Sequence, residues 1–298
     1  MLTHRQNAET RPKRVVVLGA GGFVGAAAAR AMDAGGIPVL RLARTDIDLL
    51  TSDASDRLTD ALRPEDALVV VSARAPCKTA GQLVENTAMM RPVCDALARK
   101  PVAHVVYVSS DAVYRDSDGP LTEASCAEPG SLHGAMHLAR ETMLRAVMGG
   151  TPLAVMRPSL LYGAGDPHNG YGPNQFRRLA AQSKPIVLFG EGEERRDHVW
   201  VEDVAALIRL MVLFRSEGVL NAATGRVWSF REIADIVVAQ FAVRVPIETR
   251  PRSGPMPHNG YRPFEIAACQ AAFPSFQYTS LPDGLFKVRA ETKDDIDA

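Results

Sequence analysis

The chain predicts an α/β fold organised on a doubly wound parallel sheet, and three observations carry that expectation. Short apolar runs alternate with longer segments of helical spacing, the order produced when parallel strands are joined by crossover helices. The runs VVVL after Arg14 and ALVVVS at Ala67–Ser72 are continuously apolar, as strands covered on both faces must be. The first of them leads directly into a glycine-rich turn and an Ala-rich segment, giving the order strand, tight turn, helix.

That opening stretch, RVVVLGAGGFVGAAAAR from Arg14 to Arg30, carries the most chemistry. Gly19 lets the chain reverse, Gly22 lets backbone N–H groups approach a pyrophosphate, and Gly25 lets helix and strand pack closely. Phe23 and Val24 open the helix, whose N-terminus presents partial positive charge to phosphates. A loose turn after an ordinary buried strand is the plain alternative. Gly35-Gly36 ends the helix, and Ile37–Leu42 is read as a second strand finishing in RLAR. An acidic residue after that strand suits the ribose hydroxyl of NAD, and arginine suits the 2′-phosphate of NADP. Arg41 and Arg44 come first, with Asp46, Asp48 and Leu49 just beyond; the two acids are close enough to compete, so NADP or NAD is expected, with NADP slightly favoured.

Asp53–Leu62 reads as a helix, Ala67–Ser72 as a third strand, and Ala73 begins a loop at the expected cofactor edge. Gln82–Arg99 reads as a long helix and Pro101–Ser109 as a fourth strand, in which His104 is expected to be a packed core residue. A helix containing Met136–Met148 and a strand at Pro152–Met156 follow. Tyr162–Asn174, YGAGDPHNGYGPN, is too rich in Gly and Pro for regular structure and is placed as a loop over the substrate. Phe176–Ser183, Val204–Phe214 and Ser229–Phe241 read as helices, the last with a capping box from Ser229 and Glu232. Ile186–Phe189 and Leu220–Ala223 read as strands, and Arg250–Tyr261 as a surface loop. Residues 1–13 are expected to be a mobile tail and residues 291–298 a solvated acidic one.

Lys plus Arg equals Asp plus Glu at 34 each in 298 residues, so overall charge points to neither a nucleic acid nor a membrane as partner. Cys77, Cys94, Cys126 and Cys269 form no metal-ligand pair or redox motif. With a polar start and no apolar run of spanning length, the expected location is the cytoplasm.

Taken together, GAGGFVG at Gly19–Gly25, YVSSDAVY at Tyr107–Tyr114, RPSLLYG at Arg157–Gly163 and GEGEERRDHVWVEDVA at Gly190–Ala205 resemble the extended short-chain dehydrogenase/reductases. More narrowly, they resemble the NAD(P)-dependent epimerase/dehydratase group that works on nucleotide sugars. The resemblance implies a Rossmann domain over 14–165 with a return segment near 199–224. It implies a smaller C-terminal α/β substrate domain over 166–198 and 225–290, and a homodimer formed through two helices per subunit. It maps Ser110 onto the residue that hydrogen-bonds the reacting sugar oxygen, and places Arg196 near a nucleotide-sugar diphosphate, where a surface ion pair with Glu193 or Glu194 is the plain alternative. Tyr162 and Asn174 are expected on the substrate side.

The sequence departs from the family at the next motif. Where the pattern has Tyr, three residues, then Lys, this chain has His133 and His137. Tyr starts near pKa 10 and needs a neighbouring cation, whereas His starts near 6.5 and serves as acid or base unaided. Residues four apart share a helical face, so both rings point toward one cleft. Three readings stay open: His133 transfers the proton with His137 at the cofactor ribose, the site binds without redox chemistry, or the pair is incidental and Tyr114 or Tyr162 acts. A zinc site would need a third ligand that is not evident. The resulting expectation is an NAD(P)-dependent epimerase, dehydratase or reductase transferring hydride at a nucleotide-linked sugar. The alternative is a catalytically inactive or sensing NAD(P)-binding protein of the same fold.

Overall fold

Successive residues of a strand face opposite sides of a sheet, and in the strand Val15–Leu18 both sides are dry. Val15 and Val17 enter one apolar cluster, Val16 and Leu18 the other. The computed structural model describes residues 2–242 and 244–294. The chain runs β1 (Thr3–His4), β2 (Val15–Leu18), α1 (Phe23–Ala34), β3 (Val39–Leu42), α2 (Ala54–Ala61), β4 (Ala67–Val70), α3 (Ala80–Arg99), β5 (His104–Val108), α4 (Leu132–Val147) and β6 (Leu153–Pro158). It continues through β7 (Leu160–Tyr162), α5 (Pro173–Ala181), β8 (Ile186–Phe189), β9 (Arg195–Trp200), α6 (Val201–Leu213) and β10 (Ser216–Ala222). The remaining elements are β11 (Val227–Ser229), α7 (Phe230–Ala239), β12 (Ile247–Arg250), β13 (Tyr261–Arg262), α8 (Ala267–Ala272) and α9 (Leu281–Asp294).

Seven strands form the main sheet in the order β1-β10-β6-β5-β4-β2-β3, parallel except where β1 meets β10. α1 and α6 pack together on one face, and α2, α3 and α4 pack in sequence on the other. The chain leaves β2 toward β3 on one side and returns to β4 on the other. The carboxyl ends of β2 and β4 therefore part at a topological switch point, where open α/β sheets bind ligands. A smaller assembly is centred on β9, which pairs with β7, β11 and β13, while β8 pairs with β12.

Local chemistry sets the helix starts. Thr79 and Gln82 close a capping box on α3, which therefore begins at Ala80, two residues ahead of the apolar period. Ser131 caps α4 through the Gly134 N–H and puts His133 in the first turn. The expected Ser229–Glu232 capping box is present on α7. Among the described residues, no helix is long and apolar enough to cross a membrane.

Two expectations are corrected. Residues 1–13 are not free of the fold, because Thr3 and His4 pair with β10 and cover its otherwise open edge. His4 adds contacts to Ser216 Oγ and the Ala272 carbonyl, both at 2.9 Å. Backbone pairing of so short a strand leaves no apolar period to read. The acidic tail expected at 291–298 is helical at its start, since α9 runs to Asp294, and residues 295–298 lie outside the described residues.

Candidate active site

The glycines of the opening turn act through backbone contact. Gly19 has φ +99°, and a Cβ there would sit 2.6 Å from the Ser72 nitrogen at the end of β4. A Cβ on Gly25 would sit 2.1 Å from the Gly19 carbonyl oxygen. Only hydrogen at these positions lets β2, β4 and α1 approach this closely. No side chain caps α1 and no acid stands in its first turn, so its N–H groups open toward the switch point. There the structure holds a cleft of about 830 Å³, within the range of cofactor sites. Gly19, Gly22, Phe23 and Val24 line it, while Gly25 lies behind them as packing.

At the exit of β3 the cleft wall is Ala43 and Arg44, with Asp48 and Leu49 beyond and Ala73 opposite. Arg44 Nε donates to Asp48 at 3.0 Å, and its side chain is otherwise exposed. Arg41, expected at this edge, is turned away and pairs with Asp33 of α1. The reason is strand parity: Arg41 stands opposite Val17, which faces α1, so the arginine shares that face.

Ser110, His133 and His137 line the opposite wall, so the serine mapped by the family resemblance and the histidine pair placed on one helical face do meet. The two imidazoles stand edge to face with centroids 4.8 Å apart. His133 Nδ1 accepts the Cys77 backbone N–H at 3.4 Å, and burial holds its pKa below the usual value against the nearby Asp111 carboxylate. His137 is almost fully buried, with Nδ1 2.9 Å from Tyr107 Oη. Burial, then His133 and the Arg140 cation, push its pKa well below 6.5. Both rings are therefore neutral near pH 7. Ser110 Oγ accepts the Ala112 N–H. Beneath them, Glu141 receives Ser109 Oγ at 2.6 Å and two Arg157 hydrogen bonds at 2.9 and 2.7 Å, which tie α4 to β5 and β6.

The substrate end differs from expectation in part. Asp166, His168 and Gly170 bring the glycine-rich loop over the cleft. Tyr162 is not in the cleft: it ends β7, is 1% exposed, and its ring lies beneath Gly284 of α9, a helix with no local signal strong enough to foresee. Asn174 lines the cleft, but its amide is committed to the Gly163 N–H and the Leu161 carbonyl. Arg196 lines the cleft and also makes the plainer ion pair, to Glu194 at 2.6 Å, with Nη1 unpartnered among the described residues. Arg195 turns outward to Glu232.

Other residues at or behind this wall had no role in the sequence reading: Arg262 joins Asp111 and Asp116, and Tyr107 and Arg140 support His137. Arg252, which the sequence offered as a residue that could reach a nucleotide, shares Glu194 with Arg196 and does not line the cleft. Each comes from a separate element, so spacing carried no signal. For Arg140, a charge among the buried residues Met136 and Leu144 of α4 was the one available hint.

A switch-point cleft with a glycine cradle on one wall and titratable groups on the other defines a Rossmann-type nucleotide-binding protein. The chain belongs to the NAD dependent epimerase/dehydratase family, whose sequence profile matches residues 15–223. It is 26% identical to a dTDP-L-rhamnose 4-epimerase of Burkholderia thailandensis over 303 residues, covering 78% of this chain and 83% of that one. Its fold matches the UDP-glucose 4-epimerase of Thermotoga maritima solved with UDP-glucose, at TM-score 0.84 and 18% identity, covering 95% and 99% of the two chains. It also matches MoeE5 solved with UDP-glucose and NAD, at TM-score 0.80 and 22% identity, with the same coverage.

Proposed function

We propose that the protein is an NAD(P)-dependent oxidoreductase of nucleotide-linked sugars, working by hydride transfer at a sugar carbon. The observation that supports this most is the backbone cradle of Gly19, Gly22 and Gly25 facing Ser110, His133 and His137 across one cleft. The cradle fits a dinucleotide diphosphate, because Gly19 and Gly25 admit no Cβ and its helix N-terminus is uncapped. When bound, the nicotinamide supplies or takes the hydride. NADP is the preferred form, since Arg44 at the mouth of the cleft suits a 2′-phosphate and Ala43, not an acid, follows β3.

On the substrate side, Arg196 and Arg262 supply guanidinium groups for a diphosphate, and Ser110 and His133 meet the reacting oxygen. An imidazole takes the proton role that Tyr has elsewhere in the family. Names of similar proteins that act on dTDP- and UDP-linked sugars support the substrate class. The test is calorimetry with both dinucleotides, followed by a panel of nucleotide sugars read by nicotinamide absorbance and product mass. His133→Phe is expected to abolish turnover while the cofactor still binds. Binding of the cofactor with no conversion of any sugar would make the protein a sensor instead, and no binding of either dinucleotide would end the proposal.

A further inference from the structure

Resting on that reading of the cleft, we infer that Tyr107, His137 and Arg140 form a proton relay that sets the site to reduce a carbonyl substrate, with His137 Nε2 giving the proton. Tyr107 is fully buried, and His137 Nδ1 is its hydroxyl's one hydrogen-bond partner among the described residues. A buried phenol O–H must donate, so it donates to Nδ1. An imidazole that accepts at Nδ1 carries its hydrogen on Nε2. The ring's one hydrogen bond among the described residues is the one at Nδ1, which leaves Nε2 without a protein partner there, and His137 lines the cleft. What the site shows an incoming oxygen is thus an N–H donor. A donor polarises a carbonyl, whereas oxidation of an alcohol needs an acceptor in that place.

The relay balances in one direction. A reduced nicotinamide dinucleotide supplies the hydride. As the carbonyl carbon receives it, the C=O π pair becomes an alkoxide, which takes the proton from His137 Nε2. Nδ1 then takes the proton of Tyr107 Oη, so the imidazole ends neutral with its tautomer reversed and the negative charge rests on Tyr107. Arg140 stands ready for that charge. Its Cζ lies 5.5 Å from the centre of the Tyr107 ring, it is 0% exposed, and it pairs with no carboxylate among the described residues. Its hydrogen bonds go to the Ser72 carbonyl and, at 3.8 Å, to Met136 Sδ, with Nε left unpartnered. A buried cation without an anion is unfavourable unless one forms nearby. Burial lifts the Tyr107 hydroxyl to about 12, and Arg140 opposes that rise, so the phenol still yields its proton to an alkoxide. After product leaves, the proton returns from cleft water along the same path.

His133 has no such supply, since its Nδ1 partner is the Cys77 amide. It therefore holds the substrate oxygen with Ser110, and the proton role falls to His137. Among the three reactions open to this family, the resting protonation state selects the reduction of a nucleotide-linked ketosugar.

The test begins with [15N]histidine NMR of the full chain at pH 7. The signal lost in His137→Asn is expected to show a protonated Nε2 and a bare Nδ1 in the wild type, and to become a tautomer mixture in Tyr107→Phe. A protonated Nδ1 on His137 in the wild type overturns the relay. With NADPH and a panel of nucleotide-linked ketosugars, Tyr107→Phe should lower kcat by about 10²-fold or more, with KM and NADPH affinity within about twofold. Arg140→Met should lower kcat in the same direction. Reduction at the wild-type rate by Tyr107→Phe, or faster oxidation of alcohols than reduction of ketones by the wild type, also overturns the inference. If the wild type binds NADPH but reduces no ketosugar, the nucleotide-sugar reading fails, and the relay stands or falls on the NMR alone.

Discussion

Glu141→Leu is the most informative single change, because it breaks a buried ion pair from one side. The Glu141 and Arg157 side chains are 1% and 5% exposed and share two hydrogen bonds, and Ser109 adds a third to the carboxylate. Leucine leaves the Arg157 guanidinium in the interior with the Tyr114 ring, 4.8 Å away, as its remaining neighbour of note. Leaving such a charge uncompensated costs about 3–5 kcal/mol. At about 2–3 °C per kcal/mol for a chain of this size, Tm should fall by roughly 6–15 °C. Replacing both partners removes the stranded charge, so Glu141→Leu with Arg157→Met should recover most of the loss. Differential scanning calorimetry of the two single variants and the double closes the cycle. A single variant within about 3 °C of wild type, or a double no better than Glu141→Leu, would refute the reasoning.

The remaining predictions concern pH, packing and cofactor choice. Burial holds His104 neutral, with its pKa lowered to about 4 from 6.5, so it supports the fold above pH 6.5. That support is lost as pH falls toward 4, by about 2 kcal/mol at pH 5. His198, also lowered by burial to about 3, adds to the slope. Urea midpoints at pH 7 and 5 should therefore lie closer together in His104→Gln than in wild type, and an unchanged gap would count against His104. In Gly134→Ala the new Cβ would sit 1.9 Å from the Ala112 carbonyl oxygen. The start of α4 must move, at a cost of about 2 kcal/mol or more, and His133 moves with it. An unchanged Tm would contradict that. Arg44→Ala should weaken NADP binding about tenfold and leave NAD binding unchanged, as calorimetry can show. Equal losses for both would remove Arg44 from a 2′-phosphate.

How legible the site was depended on how local its causes are. The glycine cradle could be read because each glycine answers a steric demand within one strand-turn-helix unit. His133 and His137 could be placed together because helical spacing decides their geometry, and the family resemblance set Ser110 beside them. Arg41 failed for want of strand parity, since a register shared with β2 decides which face an exposed arginine takes. Tyr162 failed because α9 packs back over it from more than a hundred residues downstream. Its burial follows from a long-range contact that no window of sequence contains.

Taken alone, the order of apolar runs, turns and caps determined the doubly wound sheet, the position of its switch point and the residue types at the cleft. These follow from short-range sterics and from periodicities of two and 3.6 residues. The tertiary structure decided protonation and partnership. Tyr107 on β5, Ser72 at the end of β4 and Arg140 on α4 meet around His137 only when sheet and helix close on one another. Which ring nitrogen carries a proton depends on those neighbours and on the water they exclude, and both come into being only with the packed interior.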